Sequence, residues 1–140
     1  PRNAAGVSEG CGLGEGPART ARLVVVGEEP GPQEVRAGRP FLDEAPSGRE
    51  LTTGLGVAGR AQSFVTNVRK CHGLREESAA ERDASIEHCV AAYLQPELSA
   101  CLEARHVVAV GADALRVLSG QPLSIIKCHG SVWRRGEWDE

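Results

Sequence analysis

The sequence predicts an α/β fold, a three-layer α/β/α arrangement around a short central parallel sheet. Two observations carry this expectation. The run at 23–26 (Leu-Val-Val-Val) is apolar throughout instead of alternating, as in a parallel strand covered on both faces. Further strand-like runs at 62–68 and 106–110 are separated by segments with apolar residues at i, i+3 and i+4, the spacing of a helix. Strands alternating with helices imply right-handed βαβ units and therefore parallel pairing.

Length and composition set the frame. The 140 residues suffice for one domain with a single core, so one domain over 1–140 is expected, with 1–20 a flexible or edge-strand lead-in. Hydrophobic residues at 41% and charged residues at 25% fit a globular protein. No apolar run reaches ~18 residues and no signal-peptide pattern opens the chain. No membrane association, a cytoplasmic location and a monomer are therefore expected. A net charge of −3 counts weakly against a nucleic-acid partner but does not exclude one, because a local patch decides binding. Five cysteines (11, 71, 89, 101 and 128) without a mark of secretion read as reduced thiols or metal ligands. A chain that lacks Met and begins Pro1-Arg2-Asn3 reads as a piece of a longer product, and the C-terminal part of the domain is expected to lie outside it.

In order, Gly10, Gly12, Gly14 and Gly16 precede the first strand, whereas a dinucleotide-binding glycine fingerprint follows one. The first strand breaks into Gly27-Glu28-Glu29-Pro30-Gly31-Pro32-Gln33-Glu34. Ligands of open α/β sheets bind beyond the carboxyl ends of the strands. Glu28 and Glu29 thus stand on a rigid loop where chemistry is usually done, the alternative being a solvated turn. Phe41 follows in a stretch without period. Ser47 and Glu50 have the spacing of a capping box for a helix over 47–55, ended by glycines at 54, 56 and 59. The second strand, 62–68, leads into Arg69-Lys70-Cys71-His72. A polar stretch precedes a helix over 81–103, which Pro96 should bend or interrupt. The third strand runs straight into Gly111 and a helix over 112–118, closed by Gly120; no element is assigned to 123–140.

Five motifs in series resemble the uracil-DNA glycosylase superfamily, and most closely its family 4, iron–sulfur type. They are the loop from Val26 to Glu34, Gly38-Arg39-Pro40-Phe41, Thr66-Asn67-Val68-Arg69-Lys70-Cys71, Cys89 on the long helix, and the strand running into Gly111-Ala112-Asp113-Ala114-Leu115. The resemblance covers about residues 12–136. It implies base-excision repair of uracil-containing DNA: the nucleotide leaves the stack and its N-glycosidic bond is hydrolysed. Phe41 would then stack on the extruded base, and Gly27 and Gly31 would line its pocket. Asn67 would read the pyrimidine edge, donating to O4 and accepting from N3–H, where cytosine presents a donor in place of O4.

Glu28 matches the family's acid, which helps position the attacking water or stabilise positive charge on the sugar. Glu29 departs from the small residue usual there, and its carboxylate is a candidate for activating water. Arg36, Arg39, Arg69, Lys70 and Arg75 are candidates for positioning phosphates. The family holds a [4Fe–4S] cluster on four cysteines; Cys71 and Cys89 match the last two, while Cys11 does not match the first pair. Zinc on Cys71, His72, His88 and Cys89 is a rival reading. The family's His-Pro motif, which stabilises the departing uracil anion, occurs nowhere in the chain. The catalytic set is thus incomplete, and the alternative is a non-catalytic DNA- or nucleotide-binding relative of the same fold.

Overall fold

The computed structural model describes residues 12–73 and 76–131. Three parallel strands, β1 (Leu23–Gly27), β2 (Phe64–Asn67) and β3 (His106–Ala109), form one sheet in the order β2-β1-β3. The helices are α1 (Pro32–Ala37), α2 (Pro46–Gln62), α3 (Ala79–Cys89), α4 (Gln95–Ala100), α5 (Ala112–Ser119) and α6 (Ile125–Cys128). β1 is central, and Val24, Val25 and Val26 are each at most 1% exposed. Val24 and Val26 pack on one face with Phe64, Val68, Ile86, Leu94 and Ala114. Val25 packs on the other with Phe41 and Val65, backed by Leu51 of α2. Each fully buried valine contributes about 1.5–3 kcal/mol, so this strand is the main hydrophobic anchor of the sheet. The α/β architecture read from the sequence is the one observed.

Several boundaries differ. Pro46 presets the first helical φ, so α2 begins there, with Ala45 as N-cap and Ser47 already inside the first turn. The Ser47/Glu50 capping box does not form; the box that does is Ser78 with Glu81, at the start of α3. α2 also continues past the glycines to Gln62, broken only where Gly56 takes φ 70°. α3 passes through a π-helical turn (Val90–Leu94) into α4. This widened turn lies directly before Pro96, which has no amide hydrogen for the ladder, and the helix stops at Ala100.

The lead-in from Gly12 to Glu15 lies against the outer edge of β2 as an edge piece. Gly12 N donates to Lys70 O (2.7 Å), and Glu15 and Val65 exchange backbone hydrogen bonds of 2.8 Å. On the opposite side, β3 leaves Val107 and Val108 half exposed, 51% and 43%. Among the described residues no helix is long and apolar enough to cross a membrane.

Candidate active site

Parallel register brings Gly27, the last residue of β1, beside Asn67, the last of β2. The approach is close enough that a Cβ on Gly27 would meet Asn67 Oδ1 and, at 2.6 Å, the Cζ of Phe41. An aromatic ring and a carboxamide therefore converge over one glycine at the carboxyl end of the sheet. Phe41 reaches it from a left-handed backbone (φ 52°), a conformation that costs a non-glycine residue energy. Phe41 is 6% exposed and packs with Val25 and Val65, so it belongs to the core as well as to the site.

Glu34, quoted within the loop motif but given no role in the sequence reading, fixes this geometry. Buried at 5% exposure, its carboxylate accepts from Gly31 N (2.5 Å) and from Leu42 N (3.2 Å). One side chain thus ties the β1–α1 loop to the segment carrying Phe41, and the Gly31 N–H is spent on it. Its place three residues after the helix N-cap is that of a capping-box acid, which was the available signal. Replacing Glu34 with Ala leaves both amides without that partner and is expected to cost about 1–3 kcal/mol. A thermal melt against the native chain checks this.

The two loop acids point to different partners. Glu28 Oε1 accepts from the backbone N–H of Asp113 (3.0 Å), in the first turn of α5. Gly111, at φ 106°, makes room for it, since a side chain there would collide with the Glu28 carboxyl group. Glu29 Oε2 accepts from Arg69 Nη1 (2.9 Å) and Arg82 Nη1 (3.1 Å), while its Oε1 lies 3.7 Å from His72 Nδ1. Glu29, Glu34, Ser47 and His72 are among the residues lining a cavity of about 590 Å³ beside the loop; neither Phe41 nor Asn67 lines it.

The basic candidates require correction. Arg69 is 3% exposed and forks onto Glu77 (2.7 and 2.8 Å), with Nε on Ser85. Lys70 is fully buried, its Nζ donating to Thr66 Oγ1 (2.5 Å), Asn67 O (2.8 Å) and Glu97 Oε2 (2.6 Å). Neither cation reaches a surface where a phosphate could meet it. Arg39 is exposed, paired bidentately with Glu15 at 2.6 and 2.9 Å. That pairing, through the hydrogen bond first, holds the Glu15 carboxyl below the usual range. Arg75 lies outside the described residues.

Cys71 and Cys89 share a hydrogen bond, which, with a backbone bond from Lys70 and the nearby His88 and Lys70 charges, pulls the Cys89 thiol down to about 6 against the opposing effect of burial. Two adjacent sulfurs with one biased toward thiolate suit half of a four-thiolate cluster set. Among the described residues no three His, Cys, Asp or Glu side chains gather to hold a metal ion, so the rival zinc set does not assemble. His72 instead faces Pro30 O, and His88 lies edge-on to Tyr93. Cys11 lies outside the described residues.

Fold and site together define a parallel α/β protein with its polar and aromatic groups collected at the carboxyl ends of the strands. The chain belongs to the uracil-DNA glycosylase superfamily, whose sequence profile matches residues 13–139. It is 34% identical over 123 residues to the type-4 uracil-DNA glycosylase of Thermotoga maritima, covering 85% of this chain and 60% of that protein. It is 35% identical over 113 residues to that of Pyrobaculum aerophilum, covering 77% of this chain and 54% of the relative. The chain thus spans somewhat more than half the length of these relatives.

Proposed function

We propose that this chain is the base-recognising part of a uracil-DNA glycosylase acting on DNA in the cytoplasm. The observation that carries this is the convergence of Phe41 and Asn67 over Gly27. An everted uracil would stack on Phe41, present O4 and N3–H to the Asn67 amide, and pass its edge over the loop backbone at Gly27 and Gly31. Glu28 supplies the negative charge that stabilises a developing sugar cation. Glu29 holds the loop, because one of its oxygens is already shared by two guanidinium groups. Arg39, exposed beside Phe41, is the basic residue placed to exchange Glu15 for a DNA phosphate.

Cys71 and Cys89 would provide two thiolates to a [4Fe–4S] cluster, which when bound ties the end of β2 to α3 through iron–sulfur bonds. The sequence has no His-Pro pair, the motif the resemblance assigns to stabilising the departing uracil anion, so cleavage by this chain alone should be slow.

The test is single-turnover release of uracil from a uracil-containing oligonucleotide by the 140-residue chain. Asn67→Asp removes the donor to O4 and should lower uracil release by roughly 10³-fold, because a buried polar group is left unmatched. Equal rates for both forms would overturn the assignment of Asn67. Binding of uracil-DNA with no release at all would favour the non-catalytic relative.

A further inference from the structure

We infer that Arg82, on α3, is a positioning residue for Glu28, acting through Asp113 and Glu29; the catalytic consequence rests on the proposed glycosylase reading. Arg82 joins three pieces, α3, the β1–α1 loop and α5, through one side chain. Its Nε donates to Asp113 Oδ2 at 2.8 Å, its Nη2 lies 2.6 Å from the same oxygen in an ion pair, and its Nη1 donates to Glu29 Oε2 at 3.1 Å. Asp113 in turn gives its backbone N–H to Glu28 Oε1. A single planar guanidinium therefore grips both the residue next to Glu28 in the chain and the residue that receives the Glu28 carboxylate. Only a forked cation does both, and a lysine ammonium is too compact to span the two acids in this geometry.

The electrostatics agree with the contacts. Asp113 is held below the usual carboxylate range by its bonds to Arg82 and Arg116 even though burial, the largest single influence, opposes them. Arg82 is held above its ordinary value by Asp113 and Glu29, again against burial. Arg116 touches the other oxygen of Asp113 at 3.2 Å and also reaches Asp83, without approaching either loop acid among the described residues. It restrains Asp113 without gripping Glu29 and is the natural control.

The amide of Asp113 offers a direct readout. It lies in the first turn of α5, where backbone N–H groups have no partner within the helix. Its protection from hydrogen exchange therefore reports the Glu28 contact. Arg82→Gln should speed exchange at Asp113 by about tenfold, while amides of Val25 and Val65 in the sheet keep their protection. Glu28→Ala should produce the same local loss, and Arg116→Gln should not. Arg82→Lys should fall between, and is the form to read should the glutamine variant fail to fold.

In uracil release, Arg82→Gln should slow the single-turnover rate about tenfold with the half-saturating DNA concentration changed less than about twofold. In the Glu28→Ala background it should cost nothing further, because a residue that works through Glu28 has nothing left to position. Unchanged Asp113 exchange in Arg82→Gln, or full additivity with Glu28→Ala, overturns the inference. If the native chain releases no uracil, the glycosylase reading suffers while the exchange experiment still decides the role of Arg82.

Discussion

Gly27→Ala is expected to abolish uracil release, by at least about 100-fold in single turnover, because a misplacement of ~1 Å at a reacting centre already costs that much. The added methyl has no room: Asn67 Oδ1 and the Phe41 ring both occupy its place. Gly27 is an ordinary residue of β1, not one of the glycines at positive φ, so the backbone itself would accept alanine. The whole effect is therefore steric, and it falls on the two groups proposed to hold the base. Overpacking a filled site costs about 1–3 kcal/mol, so the variant should fold with a lowered Tm. A circular dichroism melt and single-turnover release measured together separate the two consequences. A variant that keeps native activity would mean that the approach of Phe41 and Asn67 to Gly27 has nothing to do with base recognition.

How much of this was legible beforehand follows from how far each interaction reaches along the chain. β1 could be read because three consecutive valines need both faces covered, and Val24 and Val26 do face one cluster while Val25 faces the other. The interruption near Pro96 was legible because a missing amide is a local fact, although the form it takes, a π-helical turn placed before the proline, was not. Arg69 and Lys70 were misread for the opposite reason. A charged pair in sequence is usually solvated, and nothing local reveals that Glu77 and Glu97, 8 and 27 residues further on, return to neutralise them. Arg82 and Asp113 were missed likewise, since their bond joins positions 31 apart and exists only once α3 and α5 flank the sheet. The candidate site fell between these cases. Asn67, Phe41 and Glu28 could be named from their motifs, but their mutual placement depends on parallel register and on the Phe41 backbone turning left-handed.

The buried lysine connects stability to the site, and Glu97→Ala is expected to be the most destabilising of the changes considered. Glu97 receives Lys70 Nζ and Thr66 Oγ1 on one oxygen and Gly14 N on the other. Truncating it takes the carboxylate away from an ammonium with 0% exposure, and removing one member of a buried pair costs about 3–5 kcal/mol. Against a total of roughly 5–15 kcal/mol, that is a large part of the margin, and urea unfolding should record it as a lower midpoint with little change in slope. The companion variant Lys70→Met/Glu97→Leu removes both charges and should recover most of the loss, because an apolar pair of similar volume is often neutral in such a place. It should not recover function equally. Lys70 Nζ also donates to the backbone carbonyl of Asn67, so the double variant loses a restraint on the residue proposed to read uracil. Near-native stability with slower uracil release is the expected signature. Recovery of both together would mean that the buried ion pair serves the fold alone.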